Sequence, residues 1–255
     1  IVQAAWILAI ALVIALARQS YDDSIAKIKA LEAKAETPEA KVDVGDSYVK
    51  LASKFPKKRQ ELVDTASTWY AKAWPDLDAL WKLKTREQLD RIYAPARPGK
   101  ASSGRPTGWG GITDESSLVD VSNRKAHTGG AALRIATKKP GAKVFLQTPV
   151  VGIPPGKKVE VSAWVLSEKT AGIGEALRFV MSDAKQGQVW SFGEPVKEDL
   201  PVWTLIAGEV IAPAGAFDLR LDISFGSESG ALWIDDIGIK VDGKDVFKNG
   251  GFEWR

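Results

Sequence analysis

Residues Phe217–Phe225 read FDLRLDISF, and this stretch determines the fold class of the second half of the chain. Apolar side chains occupy every second position, and polar side chains such as Arg220 and Asp222 lie between them. Because successive side chains of a β-strand point to opposite faces of a sheet, the stretch has one apolar face and one polar face. The sequence therefore predicts a half-buried strand with Arg220 and Asp222 on its polar face.

The same alternation recurs elsewhere in this half of the chain. It is clearest at Val159–Val165 and Leu177–Met181. Five further segments also fit strands: Ala131–Ala136, Val144–Thr148, Gln188–Phe192, Trp203–Ile211 and Ala231–Val241. Turn sequences rich in Pro and Gly separate the strands, and no helical periodicity intervenes. Many short strands of this kind predict an antiparallel β-sandwich.

The first part of the chain has a helical periodicity. Between residues 18 and 94, apolar side chains recur every three or four residues, and Thr37 followed by Pro38 is typical of a helix start. Residues 95–106 are rich in Pro, Gly and Ser, which is typical of a linker. We therefore expect an α+β multidomain protein, with an N-terminal α-helical hairpin region at 18–94 and a β-sandwich at 107–255.

Residues 1–17 carry no charge and a single polar side chain, Gln3. This length is at the lower limit for crossing a bilayer, and Ala15-Leu16-Ala17 has the form that a signal peptidase cleaves. A helix that is buried on all sides has the same composition. Two interpretations stay open: a membrane anchor or signal segment, and a buried helix.

Composition argues against several functions. The chain has 35 Lys and Arg against 32 Asp and Glu, and no basic cluster interleaved with aromatic residues, so we expect no nucleic-acid partner. The absence of cysteine excludes disulfides and thiolate chemistry. His127 is the only histidine, and no Gly-x-Ser-x-Gly motif accompanies it. No catalytic motif is present, and we expect that the protein is not an enzyme.

Five sequence marks occur in order along the predicted sandwich. They are Gly108-Trp109, His127–Ile135, Pro155–Lys158 leading into a strand, Trp203 before a strand, and Leu232–Ile237 with its Asp235-Asp236 pair. In this order the marks resemble the carbohydrate-binding modules of families 4, 9 and 22. The resemblance implies a galactose-binding-like jelly roll and a non-catalytic module whose partner is a polysaccharide or another glycan.

The helical region carries a second resemblance. Gly45, Tyr48, Ala66 and Tyr70, with Pro75 after them, resemble a tetratricopeptide unit. The stretch from Val42 to Ile92 is similar to a helical region that precedes sandwich domains in large planctomycete envelope-type proteins. This resemblance implies a bacterial cell-envelope protein whose helical region spaces the module or binds a protein partner.

Asp235 and Asp236 are the most specific ionic feature. Only one of two adjacent strand residues faces inward, and a carboxylate at the edge of a core must be paired or bound to a cation. The resembling family has a structural calcium ion here, which implies Asp235 or Asp236 together with Glu253 as ligands. The alternative, that the acids accept hydrogen bonds from loop amides, stays open.

Sugar binding in such modules depends on an aromatic ring beside groups that hydrogen-bond hydroxyls. The candidates are Trp190, Trp164, Glu160, Arg220 and Asp222, which form one cleft if their strands share a sheet. Core packing also explains Trp164, so Trp190 is the preferred aromatic residue.

Asn-Gly-x-Phe-Glu begins the family's module, whereas here Asn249–Glu253 follows the predicted strands. Either a second module begins at this point, or the module is circularly permuted. We favour permutation, which predicts that Val246–Glu253 pairs as a strand and buries Phe247 and Phe252.

These observations lead to two functional hypotheses. The first is a non-catalytic polysaccharide-binding protein of the cell envelope or exterior, secreted or attached to a membrane through residues 1–17. The alternative is a structural or assembly protein whose sandwich makes protein–protein contacts.

Overall fold

Helices come first along the chain and strands follow. A computed structural model describes residues 2–94, 102–137, 139, 142–170, 176–196, 198–226, 230–248 and 250–252, without the side chains of 2–14, 16 and 17. The chain divides into two compact units, Ile1–Glu87 and Gln88–Arg255.

The helices are α1 (Val2–Glu32), α2 (Pro38–Lys54), α3 (Arg59–Ala73) and α4 (Ala79–Tyr93), and the division between the units falls within α4. Thr37 caps α2 as predicted, because its hydroxyl oxygen accepts a hydrogen bond from the Ala40 amide at 3.2 Å. Residues 2–17 lie in the first half of α1, and most of their side chains lie outside the described ones. Among the described residues, no helix is both long enough and apolar enough to cross a membrane.

Close packing of α2 on α3 holds the first unit together. Gly45 lies against the ring of Tyr70, where a Cβ would approach to 2.6 Å, so glycine permits the helices to come this near. The Tyr70 hydroxyl donates to Asp46 Oδ1 at 2.6 Å. Glu32 Oε1 accepts hydrogen bonds from the Tyr48 hydroxyl at 2.8 Å and from Trp69 Nε1 at 3.1 Å. These aromatic residues therefore serve helix packing.

The described residues of the second unit form thirteen strands. In chain order these are β1 (Ser102–Ser103), β2 (Gly110–Thr113), β3 (Ser117–Ser122), β4 (Ala132–Thr137), β5 (Val144–Gln147), β6 (Val151–Gly152), β7 (Lys158–Glu168), β8 (Leu177–Ser182), β9 (Gln188–Phe192), β10 (Thr204–Ile211), β11 (Asp218–Phe225), β12 (Ala231–Val241) and β13 (Lys244–Asp245).

The strands make two antiparallel sheets. The first sheet has the order β1-β3-β4-β12-β7-β10, with β13 beside β12, and the second has the order β2-β5-β11-β8-β9, with β6 beside β11. Alternate side chains of both sheets, such as Val161, Phe179 and Leu221, fill one shared core. The chain is thus a helical region followed by an antiparallel β-sandwich, as the sequence predicted.

The chain after β13 returns along β12. The Val246 amide donates to Ile239 O at 2.9 Å, and the Ile237 amide donates to Gly250 O at 3.0 Å. Phe252 is 2% exposed and belongs to the core, which confirms that this residue is buried in the same sandwich.

The predicted strand at Val246–Glu253 is wrong. Phe247 is only partly buried, and no regular strand forms among the described residues after β13. The ladder of β12 is interrupted between Asp235 and Gly238, and Phe252 has a positive φ of 55°. Because β12 is irregular here and the backbone at Phe252 is left-handed, the segment does not form a continuous ladder with β12.

The end of α4 belongs to the sandwich unit. The Tyr93 carbonyl accepts a hydrogen bond from the Ala126 amide at 3.2 Å, and its hydroxyl accepts one from the Trp203 amide at 3.2 Å. Lys125 Nζ lies 2.5 Å from carboxylate oxygens of both Asp90 and Glu168. Polar and aromatic contacts therefore join the end of α4 to the loop before β4 and to the segment before β10.

Candidate functional site

Three strands of the first sheet place small side chains in one row on its outer face. β7 lies between β10 and β12, and Ser162 of β7 is directly opposite Ala207 of β10 and Gly238 of β12. The Ser162 hydroxyl lies over Gly238, where a Cβ would approach it to 2.6 Å. Because all three residues are small, the outer surface of the sheet is recessed along this row.

Larger residues flank this row on both sides. On one side Glu160 is opposite Glu209 and Lys240, and on the other side Trp164 is opposite Leu205. The result is an open groove of about 370 Å³, which we call the trough. Its lining residues are Glu160, Val161, Ser162, Ala207, Gly208, Glu209, Gly238 and Lys240. The trough runs across the strands, with a charged row on one side and an apolar pair on the other.

Charges along the trough are mutually compensated. Lys158 Nζ lies 2.9 Å from Glu160 Oε1 and 2.9 Å from Glu209 Oε2. The hydrogen bond from Lys158 and its positive charge lower the pKa of Glu160. Glu160 therefore stays ionised near neutral pH and acts as a hydrogen-bond acceptor.

Trp164 stands beside the trough with one ring face covered. The ring stacks on His127 with centroids 3.8 Å apart and an interplanar angle of 16°. His127 is buried, and its Nδ1 lies 2.8 Å from Asp236 Oδ2. The stack fixes the orientation of Trp164, which is itself partly exposed.

The condition for a single cleft, that the strands of the five sugar-binding candidates share one sheet, is not met. Glu160 and Trp164 lie on β7 of the first sheet, whereas Trp190 on β9, and Arg220 and Asp222 on β11, belong to the second sheet. The period of two identifies the face on which a side chain lies but not the sheet to which its strand belongs.

Trp190 lies on the inner side of its sheet. It is opposite Met181 and packs against the core beside Phe192, with ring centroids 6.3 Å apart. Arg220 and Asp222 lie on the outer face of β11. Arg220 Nε donates to Asp222 Oδ1 at 2.8 Å, and Gln147 Nε2 donates to the same oxygen at 3.0 Å.

Sequence reasoning missed the trough residues on β10 and β12. Ala207, Glu209, Gly238 and Lys240 become neighbours of Glu160 and Ser162 only through strand pairing. The pairing joins segments far apart in sequence, and the irregularity of β12 between Asp235 and Gly238 shifts its register on β7. The sequence did contain one indication of a recessed surface, the small residues Ala207 and Gly238 within strands that otherwise carry large residues.

The Asp235 carboxylate is fully buried and accepts hydrogen bonds from backbone amides. Oδ2 accepts from the amides of His127 at 2.8 Å and Thr128 at 3.3 Å, and Oδ1 accepts from the Asp236 amide at 2.8 Å. Burial, and then the neighbouring charge of Asp236, raises the pKa of Asp235 well above its usual value. The loop amides named as the alternative in the sequence analysis are therefore partners of Asp235.

Asp236 contacts the same loop as Asp235, because its carboxylate lies against His127 and Thr128. Its Oδ1 accepts a hydrogen bond from the Thr128 hydroxyl at 2.7 Å. A Cβ at Gly251 would lie 3.1 Å from Asp236 Oδ1 and 4.0 Å from Asp235 Oδ1, so the lack of a side chain at Gly251 leaves space beside two carboxylate oxygens. Each of the two carboxylates already accepts a hydrogen bond from Thr128.

The remaining predicted ligand, Glu253, lies outside the described residues. Among the described residues, no group of three or more Asp, Glu or His side chains converges on a metal position.

No protein-family model matches the chain, and no curated protein matches it. Among solved structures, it is similar to the enzymatically active domain of tailspike protein 4 of bacteriophage CBA120, with a TM-score of 0.46, 14% identity and 53% of this chain covered. The match spans 19% of the tailspike chain.

Two carbohydrate-binding modules are also similar. The CBM22-1 xylan-binding domain from Paenibacillus barcinonensis has a TM-score of 0.39 and 16% identity, with 58% of this chain and 99% of that chain covered. A CBM61 module in complex with β-1,4-galactotriose has a TM-score of 0.41 and 20% identity, with 58% and 98% covered. TM-scores and identities this low identify neither a family nor a ligand.

Proposed function

We propose that the protein is a non-catalytic glycan-binding protein and that the trough holds the polysaccharide chain. The observation that supports this most directly is the trough itself, a channel across β12, β7 and β10 between a charged row and an apolar pair. Its volume of about 370 Å³ lies within the range of roughly 300–1,000 Å³ that is typical of small-ligand sites.

The two sides of the trough match the two surfaces of a sugar ring. Trp164 and Leu205 offer apolar surface to the C–H face of a pyranose. Glu160, Glu209 and Lys240 offer acceptors and a donor to hydroxyl groups. Because Lys158 and Lys240 balance the two carboxylates, the trough favours neutral glycans over polyanions.

The same contacts argue against hydrolysis. Cleavage of a glycosidic bond needs a general acid with a raised pKa opposite a second carboxylate. The pKa of Glu160 is lowered by Lys158, so Glu160 is not suited to donate that proton. We infer binding without catalysis.

Two further parts of the proposal concern location and calcium. The chain would act outside the cytoplasm, in the cell envelope or secreted, and the uncharged segment 1–17 supports attachment to a membrane or export. A calcium ion held by Asp235 and Asp236, with Glu253, would neutralise the buried carboxylate pair and stabilise the fold.

Filling the trough tests the proposed site. Ser162→Phe places a ring in the row of small residues, and the matched control Ser224→Phe places one on the exposed outer face of β11. A glycan array identifies an oligosaccharide that binds, and calorimetry then compares the variants after circular dichroism has verified their folding. We expect Ser162→Phe to weaken binding about tenfold or more and Ser224→Phe to leave it unchanged.

The trough would be overturned as the site if Ser162→Phe left binding unchanged and Ser224→Phe weakened it. A loss caused by Ser224→Phe alone would assign binding to the second sheet, near Arg220 and Asp222. Absence of binding to every glycan on the array would contradict the proposed function itself.

A further inference from the structure

β10 is an edge strand of the first sheet in the part of the chain that the structure describes. It pairs with β7 along its whole length of eight residues, and among the described residues no strand lies on its other side. The Ala212 amide donates to Lys157 O at 2.8 Å, so even-numbered residues direct their backbone groups toward β7. Because directions alternate along an antiparallel ladder, Leu205, Ala207, Glu209 and Ile211 direct theirs away from the sandwich.

This edge lacks the features that keep edge strands from pairing. Lysine, proline, a bulge or a very short strand usually protects such an edge. β10 has a regular register with β7, contains no proline or lysine, and has Glu209 as its only charge. Leu205 and Ile211, near its two ends, are 48% and 62% exposed.

The strand is complementary to itself about Gly208. We propose that β10 pairs antiparallel with the β10 of a second copy of this chain, across a twofold axis at Gly208. Leu205 then lies opposite the partner's Ile211, and Ile206 lies opposite the partner's Val210. Glu209 faces the partner's Ala207, so no like charges lie directly opposite each other. The four outward-directed residues of each copy form the hydrogen-bonded pairs of the new ladder.

The side of the sandwich next to β10 is also apolar. A Cβ at Gly208 would touch the ring of Phe192 at 3.0 Å, so edge strand β9 of the second sheet lies beneath β10. Trp190 and Phe192 on β9 are only partly buried. A second copy at this side would cover apolar surface from both sheets, which favours a second sandwich over a short peptide as the occupant.

A charge swap tests both the association and its register. Sedimentation equilibrium on the full chain is expected to show a monomer–dimer equilibrium. Leu205→Lys places a lysine opposite the partner's Ile211 at two symmetry-related positions, and we expect the dimer to weaken about tenfold or more. The double variant Leu205→Lys/Ile211→Glu places lysine opposite glutamate at both positions and should restore the dimer. Leu205→Lys/Ile211→Lys should not restore it.

The control is Ile112→Lys, which adds the same charge at a residue on edge strand β2 that is 75% exposed. All variants keep α1 unchanged, so any association through the N-terminal helix is common to them. A wild-type chain that stays monomeric at every concentration would overturn the proposal. A dimer that is insensitive to Leu205→Lys, or that the charge swap fails to restore, would also overturn it. The proposal does not depend on glycan binding.

Discussion

At the scale of single residues, Asp235 shows what a sequence pattern identifies and what it omits. The adjacent acids predicted a carboxylate that must be paired, but Asp235 lies opposite Trp164 on the outer face of its sheet, where a loop buries it. The partners themselves, the amides of His127 and Thr128, come from a loop more than a hundred residues earlier and could not be assigned from sequence. The positive φ of Asp236, 46°, is likewise a product of tertiary packing.

Calcium should stabilise the fold if the carboxylate pair holds the ion. A ligand that binds only the folded state adds about 2.7 kcal/mol at a hundredfold excess over its Kd. We therefore expect a chelator to lower the melting temperature of the protein, and calcium to restore it.

Two variants separate a specific site from a general effect of ionic conditions. Glu253→Ala should abolish the sensitivity to chelator, and Asp245→Ala, which removes an exposed carboxylate of β13, should retain it. Identical melting of the wild-type protein with and without chelator would count against a calcium site.

At the scale of elements, local sequence patterns were sufficient to predict individual helices and strands. They were not sufficient to predict which strands pair. The start of α2 and the strand character of Val159–Val165 follow from capping and alternation, which are local. The assignment of β7 and β11 to different sheets depends on pairing between distant segments, and no local pattern contains it. Phe217 is also instructive, because the alternation places it on the buried face of the strand. Instead β11 begins at Asp218, and Phe217 is 57% exposed.

Phe252 and Phe217 form a matched pair for testing the role of the C-terminal segment. Truncation of a core phenylalanine to alanine costs about 3–5 kcal/mol, whereas truncation of an exposed one costs little. We expect Phe252→Ala to lower the free energy of unfolding in urea by that amount, and Phe217→Ala to change it by less than about 0.5 kcal/mol. Deletion of Lys248–Arg255 should unfold or aggregate the sandwich. Equal stability of the two point variants would show that the segment is not part of the fold.

At the scale of the whole molecule, composition and packing indicate different domain boundaries. The Pro, Gly and Ser content at 95–106 predicts a linker, and so a sandwich that starts at residue 107. The contacts divide the chain after Glu87 instead, because Asp90 and Tyr93 contact residues of the sandwich. Composition indicates only how flexible a segment of the chain is. It does not reveal these contacts, because they join residues 35 and 110 positions apart in sequence.

The segment 88–255 should therefore be a more stable domain than the segment 107–255. The shorter segment lacks Tyr93, which is buried against Trp203, and leaves Lys125 with Glu168 as its remaining partner. It also lacks β1, which pairs with β3. Loss of a buried aromatic side chain and of one partner of a buried charge each costs several kcal/mol, so we expect the shorter segment to be less stable by about 3 kcal/mol or more. Thermal unfolding followed by circular dichroism measures the difference, and Tyr93→Ala in the longer segment should reproduce a large part of it. Equal melting of the two segments would instead support a boundary at the linker.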